Sequence, residues 1–104
     1  MTAVRLCSVA DVEAGTARRF DVDGRRIALV RIGDDFYAIG DRCSHADVSL
    51  SEGDVLVDDI EVECWKHGST FDLKTGEPQS LPATKPVPVY EVEVDGDDVR
   101  ITLP

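Results

Sequence analysis

Short runs of alternating apolar and polar residues, separated by two-residue turn signals, limit what this chain can fold into more than any other feature. The runs at 18–22 and 25–32 flank Asp23-Gly24, a pair that favours the tight turn of a β-hairpin. A further strand is predicted at 36–39, after a turn at 33–35. Because alternation puts successive side chains on opposite faces of a sheet, these segments predict antiparallel β-structure.

The C-terminal part of the chain predicts a second hairpin. Its strands are 89–94 and 99–103, and its turn is Asp95-Gly96. Three residues of the first of these strands should face the core: Tyr90, Val92 and Val94.

Helix is suggested only at 8–15, where Ser8 and Asp11 have the spacing of a weak capping box and allow one or two turns at most. A chain of 104 residues has the size of one domain. We therefore expect an all-β fold in a single domain that spans 1–104.

Two segments depart from the alternation, 40–53 and 64–85, which are rich in Gly, Ser and Pro and predict long loops. The strand-like segment 54–63 joins them and leads into Cys64, with Val62 and Cys64 expected on one face. Long loops in a compact domain are usually functional, so these two loops are where a site is expected.

Both histidines of the chain and two of its three cysteines lie in these loops as close pairs. Thiolates and imidazoles bind transition metals, and two loops that each fix two ligands can close on one inorganic centre. The candidate metal ligands are Cys43, His45, Cys64 and His67, with 18 residues between the two pairs. The odd cysteine count, with no export signal, argues against a disulfide framework, and Cys7 is expected to be a small buried apolar residue.

Two kinds of metal centre fit this set of ligands. A structural zinc site usually pairs its thiols in one loop and its imidazoles in the other, whereas each loop here mixes one of each. A binuclear [2Fe–2S] centre suits mixed loops, because each loop can give its Cys to one iron and its His to the other. A zinc module stays open as the structural alternative.

The charge balance narrows the classes of partner. With 11 basic and 21 acidic residues, the net charge of −10 argues against nucleic acid as a partner and suits electrostatic steering onto a basic patch of a protein.

No apolar run approaches the roughly 20 residues that span a bilayer, so we expect no membrane insertion and a cytoplasmic location. No nucleophile–base arrangement or phosphate-binding Gly loop indicates an independent enzyme.

The paired motif CSH…CWKHGSTF resembles the Rieske [2Fe–2S] motif, Cys-x-His followed by Cys-x-x-His-Gly. LSEG at 50–53 and LPATKPVPVYEV at 81–92 add to the likeness, and the size matches the small Rieske-type ferredoxins of bacterial ring-hydroxylating oxygenases. The resemblance implies one [2Fe–2S] cluster, with one iron held by Cys43 and Cys64 and the other by His45 and His67. It also implies a small antiparallel β-sandwich, with a two-loop cluster-binding subdomain at about 40–85 inserted in a β base of 1–39 and 86–104.

The resemblance also bears on the reduction potential. Two imidazoles in place of two thiolates raise the potential of a cluster to about −150 to +300 mV. High-potential relatives carry an extra cysteine in each motif, where this chain has Val48 and Lys66. They also have a Tyr hydroxyl near the cluster, where this chain has Phe71. Ser69 remains as a cofactor-binding residue that could donate a hydrogen bond to a cluster sulfur. We therefore predict a low-potential centre. Trp65 stands where relatives often have Pro, and we expect its side chain to pack over the loop.

By this resemblance the chain is a monomeric electron carrier. It would pass single electrons from a flavoprotein reductase to a terminal non-haem iron oxygenase, without being an enzyme itself. The same cluster in iron–sulfur assembly, or in the small subunit of a nitrite reductase, is the alternative that the sequence leaves open.

Overall fold

The computed structural model of the chain describes residues 2–44, 48–66, 68–81 and 83–103. In these residues it has two single-turn 3₁₀ helices, η1 (Val9–Asp11) and η2 (Leu50–Glu52). The strands are β1 (Thr2–Ser8), β2 (Thr16–Val22), β3 (Arg25–Ile32), β4 (Asp35–Gly40), β5 (Val55–Leu56), β6 (Glu61–Glu63), β7 (Thr70–Asp72), β8 (Val89–Asp95) and β9 (Asp98–Leu103). The all-β prediction is confirmed. In the part of the chain described, no helix has the length and apolar character needed to cross a bilayer.

Six strands form one antiparallel sheet in the order β1-β9-β8-β4-β3-β2. The predicted turn Asp23-Gly24 joins β2 to β3, and both residues have positive φ, 49° and 77°, as a type I′ turn requires. The second predicted hairpin joins β8 to β9, but its turn is one residue later than expected. Asp95 pairs with Asp98, so the turn residues are Gly96-Asp97.

The strand β3 is buried on both of its faces. Ile27 and Leu29 belong to a core cluster with residues of β4, β8 and β9. Ala28 and Val30, which alternate with them, belong to a second cluster with residues of the two long loops. Burial on both faces explains why the middle of this strand is an uninterrupted apolar run rather than an alternating one.

A separate three-stranded sheet, in the order β5-β6-β7, lies within the loop region. Val62 pairs with Val55 on one side and with Phe71 on the other, and Val62 and Phe71 are fully buried in the second cluster. The sequence prediction of one long loop at 64–85 was therefore wrong, because the segment contains β7. A strand of three residues with a single buried side chain is too short to show a period of two.

The prediction for β8 was correct at Tyr90 and wrong at Val94. Tyr90 is 8% exposed, whereas Val94 is 45% exposed. The reason is that β4 pairs with β8 only at Val89 and Tyr90, so the far half of β8 has no paired strand on that side. Alternation marks the face of a side chain but not how far the pairing with a neighbouring strand continues.

Candidate metal centre

The first Cys/His loop follows the end of β4 and is closed by its own backbone. The Cys43 N–H donates to the Val48 carbonyl at 3.0 Å, and Arg42 and Ser49 form an antiparallel bridge beside this bond. The chain therefore reverses direction between Cys43 and Val48, with the Cys43 residue only 2% exposed. His45, predicted as a ligand, lies outside the described residues.

The second Cys/His loop connects β6 to β7. The Cys64 N–H donates to the Ser69 carbonyl at 2.7 Å, and the Gly68 N–H donates to the Cys64 carbonyl at 2.9 Å. Gly68 has a φ of 77°, a conformation that Gly adopts without the strain another residue would meet. Cys64 is fully buried, as its alternation with Val62 predicted. The other predicted ligand of this loop, His67, lies outside the described residues.

The two loops share one backbone pattern. In each, the amide of a cysteine donates to the carbonyl of the residue five positions later, Val48 for Cys43 and Ser69 for Cys64. Both cysteines belong to the same cluster of buried residues, so the fold brings the two loops together around one core. All three cysteines of the chain are among the described residues, and none forms a disulfide.

A third segment of the chain is tied to both loops by hydrogen bonds. The Ala83 N–H donates to the Ser69 Oγ at 3.1 Å, and the Ser44 hydroxyl donates to the Lys85 carbonyl at 2.6 Å. In addition, the Thr70 N–H donates to the Ser80 Oγ at 3.0 Å. The Pro-rich segment after β7 is therefore held against the first loop through Ser44 and against the second loop through Ser69.

Asp41 fixes the start of the first loop. Its amide donates to the Arg26 carbonyl at 2.9 Å, and its own carbonyl accepts from the Leu50 N–H at 2.6 Å. One carboxylate oxygen accepts from the Ser51 N–H at 2.9 Å; the other has no hydrogen-bond partner among the described residues, although the Arg19 Nε lies 3.9 Å away. Through its backbone amide and its fully buried side chain, Asp41 connects β3 to η2 across the base of the loop.

Sequence reasoning found some residues of this region and missed others. Ser69 is fully buried at the end of the second loop, and its predicted contact with a cluster sulfur stays a prediction. Trp65 is 54% exposed, so the expectation that it packs over the loop was wrong. Ser44 and Asp41 were missed. The only signal for Ser44 is its place inside the CSH motif, and nothing in the sequence indicates that the carboxylate of Asp41 is buried.

The chemistry of these residues fits a [2Fe–2S] cluster. Two buried thiols come from two loops, and each loop has a histidine within three residues of its cysteine. The Ser69 Oγ accepts one hydrogen bond, and its proton has no acceptor among the described residues, so a buried donor is available. Such a cluster, when bound, accepts and releases one electron at a time.

Comparison with known proteins decides the family. The model of the Rieske [2Fe-2S] domain matches residues 2–91. The chain belongs to the Rieske family. It is 50% identical over 104 residues to the 3-phenylpropionate/cinnamic acid dioxygenase ferredoxin subunit of Escherichia coli (strain K12), covering all of this chain and 96% of that protein. A zinc module, the alternative that the spacing left open, is thereby excluded.

Solved structures agree with this Rieske assignment. The ferredoxin of carbazole 1,9a-dioxygenase from Nocardioides aromaticivorans IC177 superposes with a TM-score of 0.93 at 40% identity, covering 97% of each chain. A chain of the complex of reduced oxygenase and oxidized ferredoxin in carbazole 1,9a-dioxygenase gives 0.87 at 41% identity, covering 95% of this chain and 91% of that one. The protein is thus a Rieske-type ferredoxin, an electron carrier rather than an enzyme, with one Rieske-type cluster held by Cys and His ligands.

Proposed function

We propose that this ferredoxin passes single electrons from a flavoprotein reductase to a terminal non-haem iron oxygenase of the ring-hydroxylating type. The observation that carries the proposal is the full-length similarity to proteins named as ferredoxin subunits of a dioxygenase. The similar ferredoxin of carbazole 1,9a-dioxygenase, which forms a complex with its oxygenase, supports the same acceptor class. We expect the protein to act as a cytoplasmic monomer.

For the cluster, we propose that Cys43 and Cys64 bind one iron and that His45 and His67 bind the other. The matching backbone pattern of the two loops supports this set, because each loop presents a buried cysteine in the same way. Ser69 would donate its hydroxyl proton to a cluster sulfur. Hydrogen-bond donors to sulfur favour the more negative reduced state and so raise the reduction potential.

We also propose that residues of about 40–85 act as a cluster-binding subdomain within a β base of 1–39 and 86–104. The three-stranded sheet β5-β6-β7 supports this division, because among the described residues its strands pair with no strand of the six-stranded sheet. The base would then supply a rigid platform, and the inserted unit would supply the ligands.

Reconstitution of the electron-transfer chain tests the proposed function. The iron-loaded protein is mixed with NADH, a flavoprotein ferredoxin reductase and a ring-hydroxylating oxygenase, and substrate hydroxylation is followed. Hydroxylation should depend on the ferredoxin and saturate with its concentration. A protein that the reductase reduces, but that fails to support any of a panel of such oxygenases, would refute the acceptor class while leaving its role as an electron carrier intact.

A further inference from the structure

A cavity of about 480 Å³ lies where β3 begins and β4 ends, and none of the proposed cluster ligands is among its described lining residues, although Arg42 directly precedes Cys43. Three of the residues that line it are arginines, and none of the described lining residues is acidic. The lining includes Arg25, Arg26, Arg42, Gly40, Pro88 and Tyr90. A cationic cavity is unexpected on a chain whose net charge is −10.

The sheet register brings the three arginines together. Ile27 pairs with Gly40, and the Asp41 N–H donates to the Arg26 carbonyl one step further along. Arg25 and Arg42 flank these residues in the sequence, so all three arginines lie at this end of the sheet and line one surface. A bound anion would offset the repulsion between such like charges.

The walls of the cavity are held firmly. The Gly40 N–H donates to the Pro88 carbonyl at 2.8 Å, and a Cβ added at Gly40 would lie 2.9 Å from the Pro88 Cδ. Tyr90 is buried and pairs with Ala38. The backbone on which the arginines stand is therefore fixed before a ligand arrives, and a preformed site loses less entropy on binding.

No acidic residue is among the described residues that line the cavity, although Asp41, with its side chain buried, lies in the sequence between the lining residues Gly40 and Arg42. Asp21 is the cross-strand partner of Arg26, and its carboxylate accepts two hydrogen bonds from Arg19, at 3.0 Å and 3.3 Å. Asp23 lies in the turn that precedes Arg25. A guanidinium has five N–H donors, so an arginine that already has one partner can also donate to a ligand.

We infer that this cavity binds a compact polyphosphate anion. Guanidinium groups match phosphate oxygens with paired hydrogen bonds, and three of them on one concave surface suit concentrated negative charge. The volume lies within the range of about 300–1,000 Å³ typical of small-molecule sites. An acidic segment of a partner protein would spread its charge along an extended strip, which three arginines around one cavity do not match.

Isothermal titration of the iron-loaded protein with sodium pyrophosphate, in magnesium-free buffer, tests the inference. We expect saturable binding of one anion per chain. Arg25→Gln should weaken binding about tenfold, because a charge-assisted hydrogen bond is lost from an exposed residue at the start of β3. Lys74→Gln removes the same charge from an exposed position outside the cavity and should leave the affinity unchanged.

The visible absorption spectrum and the melting temperature show for each variant that the cluster and fold are intact. A parallel titration with ADP distinguishes the source of the anion: tighter binding than pyrophosphate indicates a nucleotide, and equal or weaker binding indicates a free polyphosphate. Absence of saturable binding of either probe to the wild-type protein at millimolar concentration overturns the inference. So does an equal loss of affinity in the Arg25 and Lys74 variants, which would show that net charge alone is responsible.

Discussion

The Ala83 N–H donates a 3.1 Å hydrogen bond to the Oγ of Ser69, and both residues are buried. The bond joins the Pro-rich segment to the second Cys/His loop, as the bond from Ser44 to the Lys85 carbonyl joins it to the first. Because the Ser69 oxygen accepts this hydrogen bond, its hydroxyl proton is directed elsewhere. The Ser69 side chain thus holds the Pro-rich segment in place and still has a proton to donate to the proposed iron–sulfur cluster.

Replacing Ser69 by Ala should lower both the reduction potential and the stability of the protein. The potential falls because a donor to a cluster sulfur is removed. The free energy of unfolding falls by about 1–3 kcal/mol, because the buried Ala83 N–H loses its acceptor. Redox potentiometry and denaturant unfolding measure the two effects. Ser80→Ala, which removes an exposed acceptor of the Thr70 N–H, is the control and should leave the potential unchanged; a potential unaffected in both variants would contradict the role given to Ser69.

Phe71→Tyr should raise the midpoint potential, which we predict to be at the low end of the Rieske range in the wild type. Phe71 is fully buried in the same group of core residues as Cys43 and Cys64. A hydroxyl added there would lie near the cysteines, and a hydrogen-bond donor to a cluster sulfur raises the potential. The added atom should cost about 1–3 kcal/mol of stability through overpacking. Potentiometry of both proteins checks the prediction. A wild-type midpoint above about +150 mV, the middle of the Rieske range, would show that the low-potential assignment is wrong.

The sequence predicted those parts of the fold that local chemistry determines. Asp23-Gly24 forms its turn because both residues accept positive φ, and the spacing of the cysteines and histidines indicated an iron–sulfur site. The sequence did not predict contacts between distant segments, such as the one between Ser44 and Lys85, because no local pattern encodes them. Ile60, with a φ of 56°, is a further case, since a β-branched residue disfavours that conformation and only the surrounding structure imposes it.

Cys64→Ala should abolish the visible absorption of the cluster, whereas Cys7→Ala should retain it. Both cysteines are buried, but Cys7 packs in the core between the strands of the six-stranded sheet, in a different cluster from Cys64. Loss of absorption is likewise expected for Cys43→Ala, His45→Ala and His67→Ala. Iron and acid-labile sulfide analysis provides the measurement. If Cys7→Ala also lost its iron while remaining folded, the proposed ligand set would be incomplete.

Cys7 should make the stability of the protein depend on alkaline pH. Burial raises the pKa of its thiol above the ordinary value of 9.0, and Asp11 adds to the effect while Arg18 and Arg5 oppose it. Above about pH 9 the unfolded chain loses this proton while the folded chain keeps it, so the free energy of unfolding falls as pH rises. Urea unfolding at pH 7.5 and pH 10 should show a smaller decrease for Cys7→Ala than for the wild type; equal decreases would contradict the assignment.

Neutralising acidic residues near the second loop should slow reduction by a partner that has a basic docking surface. Glu61 and Glu63 lie on the face of β6 opposite to the buried side chains of Val62 and Cys64, and Glu61 pairs with Asp72, so negative charge is concentrated on the outer face of this small sheet. Rapid-mixing kinetics with the reductase at several salt concentrations measure the effect. The double variant Glu61→Gln/Glu63→Gln should be reduced more slowly at low salt and should depend less on salt than the wild type.

A matched control comes from β8, where Glu91 and Glu93 are exposed and carry the same charge on a strand that lies outside the loop region. Glu91→Gln/Glu93→Gln changes the net charge by the same amount, so it separates local steering from the total charge of −10. We expect this variant to keep most of the rate and salt dependence of the wild type. If both double variants slowed reduction equally, the net charge and not the Glu61/Glu63 face of β6 would direct the encounter. Salt-independent kinetics of the wild type would remove electrostatic steering altogether.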